Sequence, residues 1–234
     1  MKHREAKPPG IGAQVALRLG SLLADTDLIK SAPDFLNRVG AFAIVLSEWG
    51  SKLNLTADPG DPDEIVFHVM DSLAPILVSD AIAAIGFELD KSRRLVDIGS
   101  GAGFPGLILA AATGAETILF ESRRKRATFL QVAAATMRLP QVTVVHSRAS
   151  ADNVPTGFDL MTARAVGNHP AFLRMADAAL NPGGVAIVFL SPEQRLDSNA
   201  AASSGMVEPS MVRYSIPRGS NPVQRVLRLW RKDR

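Results

Sequence analysis

The 234-residue sequence contains no cysteine, which excludes disulfide bonds, thiolate metal sites and a cysteine nucleophile. Aromatic residues make up only 6% of the chain and charged residues 21%. No apolar run reaches the roughly 18 residues that a membrane-spanning helix needs. Hydrophobic residues account for 47%, enough for a sizeable core. We therefore expect a soluble globular protein of the cytoplasm with no membrane segment.

Positive charge is scarce in the first half of the chain and abundant in the second. Residues 1–122 carry 10 Lys/Arg and 16 Asp/Glu, whereas residues 123–234 carry 16 and 7, within a formal net charge of +3. This asymmetry is compatible with a polyanionic partner for the second half.

The first part of the chain is predicted to be helical. Apolar residues recur at helical spacing between residues 11 and 50, and Gly50 is predicted to end the second helical stretch. A further helix is expected after Asp61-Pro62, because aspartate caps helices and proline suits the first helical position. We interpret residues 1–92 as a helical extension packed on the rest of the protein.

The pattern changes near residue 94, where short apolar runs begin to alternate with helical segments. This alternation predicts an α/β domain over residues 93–234, with a mostly parallel sheet covered on both faces. Residues 211–216 and 225–230 differ, since prolines and a glycine join them, and they are predicted to form an antiparallel pair at the edge of the sheet.

The most informative segment is a glycine-rich loop between a predicted strand and a predicted helix. It reads Asp97-Ile98-Gly99-Ser100-Gly101-Ala102-Gly103-Phe104-Pro105-Gly106. Glycines allow positive φ and close backbone approach, and the amides of the following helix can face an anionic group. A ligand held there would lie outside the carboxyl ends of the strands.

Two cofactors compete for this loop. The spacing of Gly101, Gly103 and Gly106 also fits the dinucleotide fingerprint, with Glu121 at the right distance to bind a ribose. Three features favour S-adenosylmethionine. Asp97 could engage an ammonium group but would repel a pyrophosphate, and Glu121 could accept hydrogen bonds from both ribose hydroxyls. Pro182-Gly183-Gly184 precedes a predicted strand, as a turn of this type does in S-adenosylmethionine methyltransferases. The alternative is that the two acids merely cap helices.

The sequence resembles the bacterial family of small-subunit (16S) ribosomal RNA guanine-N7 methyltransferases, also called glucose-inhibited division protein B. Beside the glycine loop, the resemblance rests on further motifs in the same order. These are Asn54-Leu55-Thr56, His68-Val69-Met70-Asp71-Ser72-Leu73, Glu121-Ser122, Lys125-Arg126 and Thr162-Ala163-Arg164-Ala165-Val166.

The resemblance implies a Rossmann-like class I methyltransferase fold, with a mostly parallel seven-stranded sheet, an antiparallel edge hairpin and the N-terminal helical extension. It implies S-adenosylmethionine as the cofactor and small-subunit ribosomal RNA, or the ribosomal subunit, as the partner of a monomeric enzyme. By position, Gly99 and Phe104 would surround the methionine part, Glu121 the ribose, and Ala149-Ser150 the adenine. Arg164 would lie at the mouth of the site in a positioning or electrostatic catalytic role. Together with the loop motif, the full set expected at the cofactor is Asp97, Gly99, Gly101, Gly103, Phe104, Glu121, Ala149, Ser150 and Arg164.

The chemistry of guanine N7 suits this set of residues. N7 carries a lone pair in the ring plane, so it can attack a methyl group in line without first losing a proton, and no dedicated general base is required. Cysteine, which methylation at pyrimidine C5 commonly uses, is absent. An Asn/Asp-Pro-Pro-aromatic motif, common for exocyclic amines, is absent too. Both absences favour a ring nitrogen or an oxygen.

Candidate substrate contacts are Arg123, Lys125 and Arg126, which could bind phosphate, and His68 and Asp71, which share one helical face and could line the substrate entrance. Solvated first-turn residues and a structural hydrogen bond are the respective alternatives. The histidines show no ligand-like spacing, so no metal is assigned.

The chain departs from the family where cations are usual. Phe67 stands before His68, where a basic residue is usual, and Phe189-Leu190-Ser191 stands where the family has Leu-Lys-Gly. Because each phosphate contact adds to RNA affinity, the loss leaves two alternatives open: a diverged methyltransferase for another RNA or a small molecule, and a non-catalytic S-adenosylmethionine-binding protein.

Overall fold

The computed structural model describes residues 9–83, 87–164, 167–194, 205–219 and 221–233. Ala165 and Val166 of the motif that follows Thr162 lie outside this part of the chain. The described helices and strands, in chain order, are α1 (Ile11–Leu23), α2 (Leu28–Ser31), α3 (Phe35–Leu53), α4 (Pro62–Ser72), α5 (Ala74–Leu77), α6 (Ser79–Ala83), β1 (Arg94–Ile98), α7 (Gly106–Thr113), β2 (Glu116–Glu121), α8 (Arg124–Thr136), β3 (Val142–His146), β4 (Phe158–Arg164), α9 (His169–Ala179), β5 (Leu180–Leu190), β6 (Met206–Ile216) and β7 (Val223–Lys232).

The strands form one sheet in the order β3-β2-β1-β4-β5-β7-β6. The first five strands are parallel, whereas β7 runs antiparallel to β5 and pairs with β6 as an edge hairpin. The mostly parallel α/β fold with an antiparallel edge is thereby confirmed. The order of the strands reverses beside β1, and in open α/β sheets ligands bind at such a point, outside the carboxyl ends of the strands.

Helix α1 packs on α3 and α4, α3 packs on α7 and α8, and α4 packs on α7, so that these helices share one continuous hydrophobic core. Phe42 of α3 meets Phe104 edge to face, with ring centroids 5.4 Å apart, and also contacts Phe129 of α8. On the other face of the sheet, α9 packs against β5 in a second cluster. The helices that precede β1 therefore bring their side chains up to the glycine loop.

Two helix ends test the sequence-based boundaries. Asp61 caps α4 as predicted, because its carboxylate accepts a hydrogen bond from the Asp63 amide at 2.9 Å. The predicted end of a helix at Gly50 is wrong, since α3 continues to Leu53 and Asn54 adopts the left-handed conformation after it, with φ 49°. Asparagine tolerates this conformation, and its amide donates to the Gly50 carbonyl, which closes the last turn.

Candidate functional site

The glycine loop follows β1 directly. Gly99, Gly101 and Gly103 all have positive φ, at 73°, 54° and 89°. The amides of Gly99 and Ser100 both donate to the Phe120 carbonyl, at 2.9 and 3.0 Å, which ties the loop to β2. A Cβ on Gly99 would meet no atom within 4 Å, so this position combines a strained backbone with open space.

Asp97 lies inside the sheet just before this loop and is only 1% exposed. Its Oδ1 accepts a hydrogen bond from the Thr162 hydroxyl at 2.7 Å. Oδ2 is buried close to Gly106, where an added Cβ would lie 2.8 Å from it, and it makes no hydrogen bond of normal geometry among the described residues. Burial raises the pKa of the Asp97 carboxyl to about 6, although the hydrogen bond from Thr162 opposes the shift. A buried carboxylate oxygen with a vacant lone pair is an acceptor for a cationic or N–H group.

Glu121, at the end of β2, holds the loop from the other side. Its two carboxylate oxygens accept from the backbone amides of Gly101, at 3.0 Å, and Arg123, at 2.7 Å. A carboxylate offers about four lone-pair sites, so these two bonds leave room for further donors such as ribose hydroxyls. The ribose contact of Glu121 stays a prediction. The structure shows a further role for Glu121, because its bond to the Gly101 amide holds the glycine loop in shape.

A cleft of about 380 Å³ opens above the loop. Of the candidate residues, Gly99, Gly101, Phe104, Arg164, His68 and Arg126 line it, together with Leu55, Thr56, Ala57, Glu64, Ser100 and Ala102. The sheet, α4, α8 and the segment after α3 all contribute to this lining, so residues far apart in sequence converge there.

Ala149 and Ser150 do not line this cleft but lie in the turn after β3. Asn153, which the sequence did not single out, clamps that turn: its Oδ1 accepts from the Ser150 amide at 2.8 Å and its Nδ2 donates to the Arg148 carbonyl at 2.9 Å. Because the Ser150 amide is already engaged, an adenine contact through it would require this bond to be shared. The adenine contact stays a prediction.

His68 and Arg164 meet at the wall of the cleft, with 2.8 Å between Arg164 Nη2 and His68 Nδ1. Arginine can only donate, so Nδ1 is the acceptor and the ring carries its proton on Nε2, which lies 3.2 Å from Glu64 Oε1. Burial, reinforced by the charge of Arg164, lowers the pKa of His68 to about 3. The imidazole is therefore neutral and orients the guanidinium instead of exchanging protons.

Asp71 is fully buried behind this pair. Its carboxylate accepts a hydrogen bond from the Tyr214 hydroxyl at 2.6 Å and two from Arg225, at 3.0 Å each, and Oδ2 lies 3.5 Å from Arg164 Nη1. Burial and the Asp71 charge raise the pKa of Tyr214 well above its usual range. Asp71 has no exposed surface, and its contacts join α4 to β4, β6 and β7, which agrees with the structural alternative and is the geometry of a positioning residue. A substrate contact by Asp71 stays a prediction.

The edge hairpin also supplies a cation beside Phe67. The family usually has a basic residue at the sequence position of Phe67. Arg218 lies over the Phe67 ring, 4.9 Å from its centroid, and its Nη2 is 2.5 Å from Glu64 Oε2. Sequence reasoning missed Glu64, Arg218, Tyr214 and Arg225. The only available signals were the (i, i+4) spacing of Glu64 and His68 and the presence of a single tyrosine in the chain.

The three basic residues at the start of α8 that are predicted to bind phosphate, Arg123, Lys125 and Arg126, lie on different surfaces. Arg126 lines the cleft and donates from Nη2 to the Asn54 carbonyl at 2.9 Å, which joins α8 to the segment after α3. Arg123 and Lys125 are exposed, and Lys125 lines a different groove, between α3 and α8. The structure thus brings only one of the three predicted phosphate contacts into the cleft.

The family model described as "GidB: rRNA small subunit methyltransferase G" matches residues 36–227. The chain belongs to this family. A ribosomal RNA small subunit methyltransferase G of Desulfitobacterium hafniense is 34% identical over 71% of this chain and 67% of its own length. The protein of the same name from Nitrosococcus oceani is 32% identical over 80% and 82%.

Among solved structures, a precorrin-6y C5,15-methyltransferase from Geobacter metallireducens superposes with a TM-score of 0.50 over 81% of this chain and 98% of that one, at 14% identity. A likeness at this identity concerns the fold alone. In the part of the chain that the structure describes, no cluster of three His, Cys, Asp or Glu is placed to hold a metal ion. No helix among the same residues is both long and apolar enough to cross a membrane.

Proposed function

We propose that this protein transfers the methyl group of S-adenosylmethionine to N7 of a guanine in small-subunit (16S) ribosomal RNA. The observation that carries the proposal is the family match over residues 36–227, which spans the glycine loop, the charged residues of the cleft and most of the edge hairpin. The proposed substrate implies a cytoplasmic location, beside the ribosome, and we expect the enzyme to act as a monomer.

The residues present fit the proposed cofactor. Asp97 Oδ2 is a buried acceptor that makes no hydrogen bond of normal geometry among the described residues, and the space above Gly99 is open, so an ammonium group could be received there directly or through water. We assign the ribose hydroxyls to Glu121, whose carboxylate retains lone pairs beside its two backbone bonds, and the adenine to the turn of Ala149 and Ser150. When bound, S-adenosylmethionine supplies an electrophilic methyl group on a sulfonium.

The protein's own contribution to the transfer is placement. Guanine N7 uses its in-plane lone pair to form the new bond while the methyl–sulfur bond breaks, so no base has to remove a proton. The cleft agrees with this requirement, because its histidine is held neutral by burial and by a fixed bond to Arg164. Phe104 offers an apolar wall against which a purine extruded from the RNA could rest.

Arg164 is the residue suited to orient the purine. Its guanidinium lines the cleft, 5.7 Å from the centroid of the Phe104 ring, while Nη2 is bound to His68 and Nη1 faces the buried Asp71. Arginine has five N–H donors, so these two contacts do not use all of them. Guanine O6 lies next to N7 on the same edge and is an acceptor. We assign Arg164 the role of holding O6, which would turn N7 towards the methyl group.

The decisive experiment incubates the protein with radiolabelled S-adenosylmethionine and small ribosomal subunits from a strain that lacks its gene, then maps the labelled nucleotide. We expect one N7-methylguanine in the small-subunit RNA, and a loss of kcat in Arg164→Gln but not in the matched Arg174→Gln on α9. RNA without label, or label on another atom, would refute the proposal.

A further inference from the structure

A second concave surface lies beside the cleft, between α3 and α8. It encloses about 670 Å³, a volume in the range of ligand sites, and the structure gives it no part in the chemistry described above. We call it the α3–α8 groove, and it is lined by Glu48, Trp49, Lys52, Leu53, Arg124, Lys125 and Thr128.

The charge of the α3–α8 groove is positive. Lys52, Arg124 and Lys125 are exposed in it, against a single acid, Glu48. Within the described ranges, no carboxylate lies at ion-pair distance from any of these three cations. Unneutralised cations gathered in one concavity attract a polyanion, because binding releases the counterions of its phosphates.

The groove also contains an aromatic platform. Trp49 is half-buried, with its ring 6.3 Å from the buried Phe129 at an angle of 51°, so the indole is held in place by the core and still lines the groove. An anchored indole beside cations is the combination with which proteins bind single-stranded nucleic acid: a base stacks on the ring and the phosphates meet the cations.

The groove adjoins the cleft across a partition at Asn54. Leu53 lines the groove and Leu55 lines the cleft, one residue apart on either side of Asn54. On α8, the neighbouring residues Lys125 and Arg126 likewise line one cavity each, and Arg126 closes the partition by its bond to the Asn54 carbonyl. A strand with one nucleotide in the cleft can therefore pass its next nucleotides over this partition.

We propose that the α3–α8 groove is an RNA subsite, in which a nucleotide near the target guanine stacks on Trp49 while flanking phosphates pair with Lys52, Arg124 and Lys125. This inference rests on the proposed function, and it adds an unpaired, stacked nucleotide to the requirements on the substrate. Stacking tolerates any base, so the groove would grip the strand without reading its sequence.

The first test follows tryptophan fluorescence during titration with octauridylate, a single-stranded RNA. We expect quenching in the wild type and none in Trp49→Leu, which keeps the buried Trp230 as an internal reference. Polyglutamate at the same charge should not quench. Equal quenching by polyglutamate would show that the groove takes an acidic protein segment, and unchanged quenching in Trp49→Leu would also overturn the proposal.

The second test measures methylation of small ribosomal subunits. Trp49→Leu should raise the KM for the RNA about 5-fold to 100-fold at unchanged kcat, with most of the affinity restored in Trp49→Phe. Lys52→Gln and Lys125→Gln should each lower the salt dependence of octauridylate binding by about 0.7 in log–log slope, whereas Lys91→Gln, exposed before β1, should not. Identical KM values and slopes in all these variants would refute the subsite.

The two proposals fail in different ways. If the wild type binds S-adenosylhomocysteine and quenches with octauridylate but labels no ribosomal RNA, the proposed substrate is wrong and the groove stands. If it labels the RNA and the groove variants behave as wild type, the function stands and the groove is wrong. Should Trp49→Leu not fold, Trp49→Phe and the lysine variants carry the same test.

Discussion

The two walls of the cleft differ in how their residues are brought together. One, the glycine wall, consists of Gly99, Gly101 and Phe104, with Asp97 buried directly before them in the same ten-residue segment. The other, the charged wall, joins His68 and Asp71 of α4 to residues of β4, β6 and β7. The first depends on backbone conformation and one buried carboxylate, whereas the second depends on charges that meet only after the chain has folded. Their variants should therefore fail in different assays.

The largest effect is expected from Asp71→Asn, which attacks the charged wall. It leaves Arg225 and Arg164 without their buried counter-charge, and breaking a buried pair in this way costs about 3–5 kcal/mol of unfolding free energy. Urea unfolding measures this loss. In the matched Asp27→Asn, which removes an exposed partner of Lys30, we expect no measurable change. Equal stability of the two variants would mean that the charged wall contributes nothing to the fold.

Asp97→Asn attacks the glycine wall and should separate binding from stability. We expect at least about 100-fold weaker binding of S-adenosylhomocysteine by calorimetry, because the variant lacks the buried charge that we propose as the acceptor for the ammonium group. The pKa of Asp97 is raised in the fold, so folding takes up a proton between about pH 4 and 6 and stability falls as the pH rises through that window. The ligand-free variant should therefore be more stable than wild type by about 1–3 kcal/mol at pH 7.5.

The control for Asp97→Asn is Asp159→Asn, at the other end of the sheet, where the carboxylate accepts from the Arg94 amide. That variant should lose stability and keep its affinity for S-adenosylhomocysteine. Retention of affinity in Asp97→Asn would remove Asp97 from the cofactor site.

A smaller effect is expected when alanine replaces glycine at positive φ. Gly99 and Gly219 have φ values of 73° and 55°, and a Cβ on either would meet no atom within 4 Å. Each substitution should cost about 1–2 kcal/mol of unfolding free energy through backbone strain alone. Only Gly99→Ala should also weaken the binding of S-adenosylhomocysteine, since the methyl group of the new alanine enters the cleft. Parallel losses of affinity in both variants would indicate a general effect of instability.

The effect that is smallest at neutral pH is the protonation effect in the charged wall, because it develops only as the pH falls. His68 stays neutral in the fold down to about pH 3 but is protonated in the unfolded chain below about pH 6.5, so its burial costs stability as the pH falls through 6.5. His68→Gln should reduce the slope of unfolding free energy between pH 6.5 and 4 by up to about 1.4 kcal/mol per unit. An unaltered slope in His68→Gln would contradict the neutral, buried ring.

The fold and the glycine wall could be predicted well because their signals are local. The alternation of apolar runs after residue 94 indicated the parallel sheet, and Asp61-Pro62 marked the start of α4. The end of α3 was misplaced because Gly50 and Asn54 are both acceptable caps, and the choice between them depends on hydrogen bonds that the spacing does not show.

The charged wall was beyond prediction for a different reason. His68 and Asp71 belong to a recognisable motif, but Asp71 and Tyr214 are 143 positions apart in the sequence, and no local pattern predicts their contact. The sequence has no cation at position 67, but in the fold Arg218, from the turn between β6 and β7, lies over the Phe67 ring. No periodicity within one segment encodes such a pairing.

By itself the sequence determined the α/β architecture, the glycine loop and the family, because backbone preferences and short motifs act over a few residues. Only the tertiary structure decided that Asp71 is a buried positioning group, that one buried oxygen of Asp97 makes no hydrogen bond of normal geometry among the described residues, and that Lys125 and Arg126 serve different cavities. Burial and charge pairing are properties of all the elements that meet at a point, and those elements meet only in the folded chain.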